Sequence, residues 1–120
     1  MRIMSVMFSV LAPLCLAACA GVQLPKEQLR TPGELLFNGY TKAEVDCWHC
    51  HNGDGKGSGR GPALPSRVRK RSVDQLRETI LNGDGFMPKF RAKLTDDEVT
   101  QLVTWLQEAF PPAPTEGTSN

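Results

Sequence analysis

Five consecutive residues, Cys47-Trp48-His49-Cys50-His51, place two thiols three positions apart with an imidazole directly after the second. This is Cys-x-x-Cys-His, the attachment pattern of a covalent haem. The spacing has a physical reason. Two thiols at that separation reach the two vinyl groups on one edge of a porphyrin, and the histidine that follows lies under the ring, where it can ligate iron. One haem c, bonded through Cys47 and Cys50, would then stay in place even in a small domain. Other chemistries compete for the same residues. A disulfide between Cys47 and Cys50 is one. A thioredoxin-like pair is another, but no βαβ pattern surrounds the motif. A zinc site needs four ligands, and no second pair follows downstream.

The sixth iron ligand follows from elimination. The chain has two histidines, His49 and His51. His49 is tied between the cysteines on one side of the ring and cannot reach the other face, so bis-histidine ligation within the chain is excluded. Methionine is the usual alternative. Met1, Met4 and Met7 fall in the leading segment, which leaves Met87, in the glycine-rich run Gly83-Asp84-Gly85-Phe86-Met87-Pro88. A lone methionine can also be a core gap-filler. Trp48 and Phe86 flank ligands and are expected to pack in the haem pocket.

The elements that must position these residues read as helices and loops. Thr31-Pro32 is an N-cap followed by proline at the first helical position. Leu35, Leu36 and Tyr40 then recur at helical spacing, with Gly39 as an interruption. Thr41-x-x-Glu44 has capping-box form and predicts a second short helix running into Cys47. Ser72-x-x-Gln75 predicts a helix through Leu76, Ile80 and Leu81, stopped at Asn82-Gly83. Thr95-x-x-Glu98 opens the last helix, with Leu94 and Val99 as its hydrophobic staple. Val99, Leu102, Val103, Leu106 and Phe110, widened by Trp105, form its apolar stripe. No window shows strand alternation, so the class is all-α. The glycines from Gly53 to Gly61 lack the order of a phosphate loop and read as a turn around the haem edge.

The N-terminus reads as an export signal. Met1-Arg2 precedes an apolar run from Ile3 to Ala18 that is short for a membrane span. Its end, Leu16-Ala17-Ala18-Cys19, resembles the lipobox of bacterial lipoproteins, which implies cleavage before Cys19 and acylation of that cysteine. A rival cut after Ala20 would release a soluble periplasmic protein beginning at Gly21, and an uncleaved anchor helix is a third option. Either cleavage leaves Cys47 and Cys50 without stray thiols in an oxidising compartment. The resulting division is 1–18 signal peptide, 19–30 flexible tether, 31–110 folded domain and 111–120 disordered tail. Fully extended, the tether would reach roughly 35 Å. Ala20 after the cysteine, in place of Asp, favours the outer membrane.

With 120 residues and a net charge of +1, the chain has room for one domain and no global charge that selects a partner class. Lys56, Arg60, Arg67, Arg69, Lys70 and Arg71 form a run without an acid. It reads either as a solvated face or as a docking patch for an acidic partner or anionic membrane. No nucleic-acid reading motif accompanies it.

Together, Thr31 to Phe110 resembles a small bacterial class I cytochrome c. The elements that carry the resemblance are an N-terminal helix, the Cys47–His51 motif, Gly61-Pro62-x-Leu64, a middle helix, the Met87-Pro88 loop and an amphipathic last helix. The resemblance implies three to five short helices around one haem. It implies that Pro62 offers its carbonyl to the Nδ1–H of His51, and that Gly33 and Phe37 meet Trp105 where the first and last helices cross. The ten-residue spacing of Phe37 and Cys47 exceeds the family's usual five and marks a small insertion. The implied function is single-electron transfer by a His51/Met87-ligated haem c, with no catalytic residues and redox proteins (oxidase, reductase or dehydrogenase) as partners. The protein would be a monomer or a complex subunit, lipid-anchored on the periplasmic side. The alternatives are a haem enzyme or gas sensor, peroxidase-like, with a labile sixth ligand, and a haem-free interaction module.

Overall fold

The computed structural model describes residues 20–112; Cys19, the expected signal and residues 113–120 lie outside them. Five α-helices follow in order: α1 Pro32–Phe37, α2 Cys47–His51, α3 Pro65–Arg69, α4 Val73–Asn82 and α5 Asp96–Ala109. Among the described residues there is no strand, only an isolated bridge between Asp84 and Met87.

The starts of the helices follow the capping chemistry. Thr31 accepts from the Glu34 amide, with Pro32 at the first helical position. Ser72 with Gln75 and Thr95 with Glu98 each form reciprocal capping boxes. Each such cap stabilises its helix by about 1 kcal/mol. Helix α5 is the hub. Its face of Val99, Leu102, Val103, Trp105 and Leu106 is buried, and α1, α3 and α4 all pack against it. Leu94, just before its cap, joins the same core.

Helix α1 crosses α5 at closest approach where Gly33 sits. A Cβ there would lie 2.5 Å from the Trp105 Cβ and would also strike the Gln101 carbonyl. Four residues on, Phe37 meets Trp105 with ring centroids 4.8 Å apart. Such a tilted aromatic pair adds about 0.5–1.5 kcal/mol beyond its burial. The insertion after Phe37 does not displace this crossing; it is held by buried Val45 and by Lys42, which pairs with Glu98 at 2.8 Å. The Lys42 ammonium holds the Glu98 carboxyl below its ordinary value.

Two expectations are corrected here. Residues 41–46 form no helix. They make a single turn closed by the Val45 amide on the Lys42 carbonyl, 3.0 Å, and the helix begins at Cys47. Lys42 is drawn to Glu98 and Val45 is driven fully into the core, and these tertiary contacts override a cap pattern that is only a weak local preference. Residues 20–30 are also not a free tether. They lie along the domain as a strap with a 3-10 turn at Lys26–Gln28 and a buried Leu29. The Gly21 amide donates to the His49 carbonyl at 2.7 Å, the Val22 amide to Asn52 Oδ1 at 2.8 Å, and the Gly53 amide to the Val22 carbonyl at 2.8 Å. The strap has no apolar periodicity because backbone pairing holds it, not a hydrophobic face. Helix α3, opened by Pro65, was not foreseen; five residues are too few to show a period.

Because the Gly33 position has no room, Gly33→Ala is expected to cost about 1–3 kcal/mol through overpacking. Urea unfolding of the holoprotein checks this, with Ala43→Gly on the exposed insertion as a control that leaves the crossing intact.

Candidate functional site

Helix α2 is only one turn and a half long, so its neighbours must fix it. The loop that leaves it folds back over it. The Gly57 amide donates to the His51 carbonyl at 2.8 Å, and the Ser58 hydroxyl donates to the Cys50 carbonyl at 2.6 Å. The Leu64 amide then closes on the Gly55 carbonyl at 2.8 Å. This folding delivers the Pro62 carbonyl to 2.9 Å from His51 Nδ1. A carbonyl can only accept, so Nδ1 carries the proton and Nε2 keeps its lone pair for a metal. His51 itself is buried, with its ring centroid 6.5 Å from that of Phe37.

Met87 comes from the loop between α4 and α5. Its amide donates to the Asp84 carbonyl at 3.0 Å, which closes a tight turn that Pro88 ends. Beyond it, the Phe90 amide bonds the Ile80 carbonyl at 3.2 Å and stitches the loop back to α4.

These elements enclose a cavity of about 400 Å³. Cys47, Cys50, His51, Pro62 and Met87 all line it, and Leu64, Val68, Leu76, Ile80, Phe90 and Leu102 clothe much of the rest. Arg60, Arg67 and Arg71 reach it together with Asp46 and Asp84. The donor set fits a haem: two free thiols, an imidazole whose Nε2 is left unpartnered by the Pro62 bond at Nδ1, a thioether and an apolar hollow that suits a flat cofactor. The rival chemistries fit poorly. Burial pushes the Cys47 thiol up to about 12, and Cys47 and Cys50 are both free rather than joined in a disulfide. Among the described residues, no cluster of three or more His, Cys, Asp or Glu side chains could hold a metal ion.

Two side chains within the motif stand elsewhere. His49 does not line the cavity; its Nε2 accepts from Arg60 Nη1 at 2.8 Å, since a guanidinium can only donate. Trp48 is half-buried against the hydrophobic core and is not part of the cavity wall. Phe86, expected to pack in the pocket, does line the cavity beside Met87, but at its open side, where its ring is fully exposed. Ser58 was missed by sequence reasoning, as a serine in a glycine-rich run carries no signal of its partner.

The family profile described as "Cytochrome C oxidase, cbb3-type, subunit III" matches residues 34–106. No curated protein matches. Among solved structures, the dihydro-heme d1 dehydrogenase NirN in complex with DHE is 30% identical with a TM-score of 0.53, covering 69% of this chain and 16% of its own. Cytochrome CL from the marine methylotrophic bacterium Methylophaga aminisulfidivorans MPT is 28% identical with a TM-score of 0.52, covering 64% of this chain and 50% of its own. The c-type cytochrome NirC is 32% identical with a TM-score of 0.50, covering 64% and 85%. The chain thus corresponds to a small part of the first of these proteins and to half of the second.

Since His49 faces Arg60 and not the cavity, His49→Ala is expected to leave covalent haem content and the visible spectrum unchanged. A pyridine haemochrome assay with ferric and ferrous spectra checks this; a change of spin state would place His49 at the iron.

Proposed function

This chain belongs to the cytochrome c oxidase, cbb3-type, subunit III family, and from that premise we propose that it is a lipid-anchored electron shuttle with His51 and Met87 as its iron ligands. It is a class I c-type cytochrome domain that works by haem-based electron transfer, and its cofactor is haem c bound through Cys47 and Cys50. Bound haem supplies one-electron Fe(III)/Fe(II) chemistry. The chain does the rest.

The observation that carries the ligand assignment is the convergence of Cys47, Cys50, His51 and Met87 on one apolar cavity. Pro62 holds the His51 imidazole in one tautomer and orientation, which tunes its strength as a donor. Met87 offers a soft thioether, which favours the reduced state and raises the potential. With His51 and Met87 both holding the iron, no position would stay open for a substrate, which favours the carrier reading over a peroxidase-like enzyme or gas sensor. Exposed Phe86, with Arg60 and Arg67, provides contact area beside the cavity for redox partners. Docking for such transfer is weak and small in area, on the order of 1,200 Å² or less.

The lipobox-like Leu16-Ala17-Ala18-Cys19 supports export and a lipid on Cys19. No helix among the described residues is long and apolar enough to cross a membrane. The partners would be an oxidase, reductase or dehydrogenase at the periplasmic side, with the outer membrane favoured as the site of attachment.

Met87→Ala is expected to abolish the thioether-to-iron band and turn the ferric protein from low to high spin; an unchanged low-spin spectrum would show that Met87 is not the ligand. The mass of the protein purified from its native membrane reports the anchor. It should equal a chain beginning at Cys19 plus one haem and acyl groups, whereas a chain beginning at Gly21 would make the carrier soluble.

A further inference from the structure

Asn38 is a buried polar side chain with no exposed surface, and no motif in the sequence marks it. It ends α1 and joins three parts of the chain that are distant in sequence. Its Nδ2 donates to the Glu34 carbonyl within α1 at 3.1 Å and to the Gly53 carbonyl at 3.2 Å. Its Oδ1 accepts from the Leu24 amide of the strap at 3.0 Å. Its own backbone carbonyl accepts from Gln23 Nε2 at 2.6 Å. Gly53 is two residues beyond His51, and a Cβ on it would come within 2.6 Å of Asn38 Oδ1.

We infer that Asn38 is a positioning residue for His51: with the strap, it fixes the backbone leaving the histidine, and through that backbone the loop bearing Pro62. The chain of contacts is continuous. Asn38 holds Gly53, and Asn52, between Gly53 and His51, receives the strap amide of Val22. Asn52 takes a left-handed φ of 65°, a conformation that costs an ordinary residue energy and that this clamp over-determines. The Gly55 amide returns to the Asn52 carbonyl and the Gly57 amide to that of His51, each at 2.8 Å. From there the loop runs to Pro62, whose carbonyl sets the imidazole. Amide chemistry is required at position 38, because one face must donate to two carbonyls while the other accepts from an amide. Aspartate has the same shape but offers only acceptors when ionised, so it would oppose the two carbonyls.

The inference rests on haem attachment to this chain, and its test keeps the two apart. The holoproteins of wild type, Asn38→Asp, Asn38→Ser and Gln23→Ala are compared in the reduced, diamagnetic state by proton NMR with hydrogen exchange. The readouts are the His51 Nδ1–H, the Gly57 amide and, as reference, the amides of α5. A wild-type protein without covalent haem would defeat the functional reading before the comparison begins. Leaving a buried carbonyl unpaired raises local opening by about ten- to a hundredfold. Asn38→Asp is therefore expected to speed exchange at His51 Nδ1–H and Gly57 by that factor while α5 stays slow, and to shift the reduction potential. Gln23→Ala, which spares the side chain of Asn38, is expected to show a smaller change of the same pattern, and serves if the aspartate variant fails to mature. Equal acceleration in the loop and α5, or no acceleration at His51, would show that Asn38 is a packing residue only and would overturn the inference.

Discussion

A helix of five residues must hold two thiols and an imidazole at fixed spacing, and a helix that short has no stability of its own. Nucleation costs more than one turn of hydrogen bonds returns. The rest of the fold can be understood as the splint that α2 needs. The Ser58 hydroxyl and Gly57 amide grip its carbonyls from one loop, the Gly21 amide grips another from the strap, and Val45, just upstream, is driven into the core. The histidine's orientation is thus a property of three separate segments, and the carbonyl of Pro62, at the end of the loop, completes the set.

The same arrangement explains how so small a domain makes room for a large cofactor. A domain of this size buries a limited apolar surface and leans on a cofactor or a staple. Here the solid part of the core lies along α5, where Gly33 lets α1 approach to backbone contact and Phe37 packs at a tilt against Trp105. Phe37 and Leu102 also face the cavity, so the core continues into the cofactor's wall without a polar layer between. Haem would extend that apolar interior, and the covalent links through Cys47 and Cys50 would keep it in place.

What could be read from the sequence was whatever has a short-range signature. The Cys47–His51 motif, the boxes at Ser72 and Thr95 and the stripe of α5 each state their structure within a few residues. Thr41-x-x-Glu44 shows the limit of such reading: the pattern is right, but Lys42 has a better partner in Glu98, fifty-six positions away. Phe86 shows a second limit, because two adjacent side chains both line the cavity and only the turn decides which of them is left exposed at its open side. Asn38 and the strap were invisible for a third reason. Their contacts are hydrogen bonds between backbone and amide groups across gaps of fourteen and fifteen residues, and such bonds leave no periodicity and no composition bias.

The strap also changes what kind of machine an anchored form of this protein would be. With Gly21 bonded to the carbonyl of His49, and no space at that position for even a methyl group against Asn52, the chain is fastened to the haem motif two residues after Cys19. An acyl group at Cys19 would then act as a pivot and not as a rope. The domain would roll on the bilayer about a fixed point, its height set by its own radius. Encounters would become a search in two dimensions, limited to partners whose redox centres lie at the same level above the lipid.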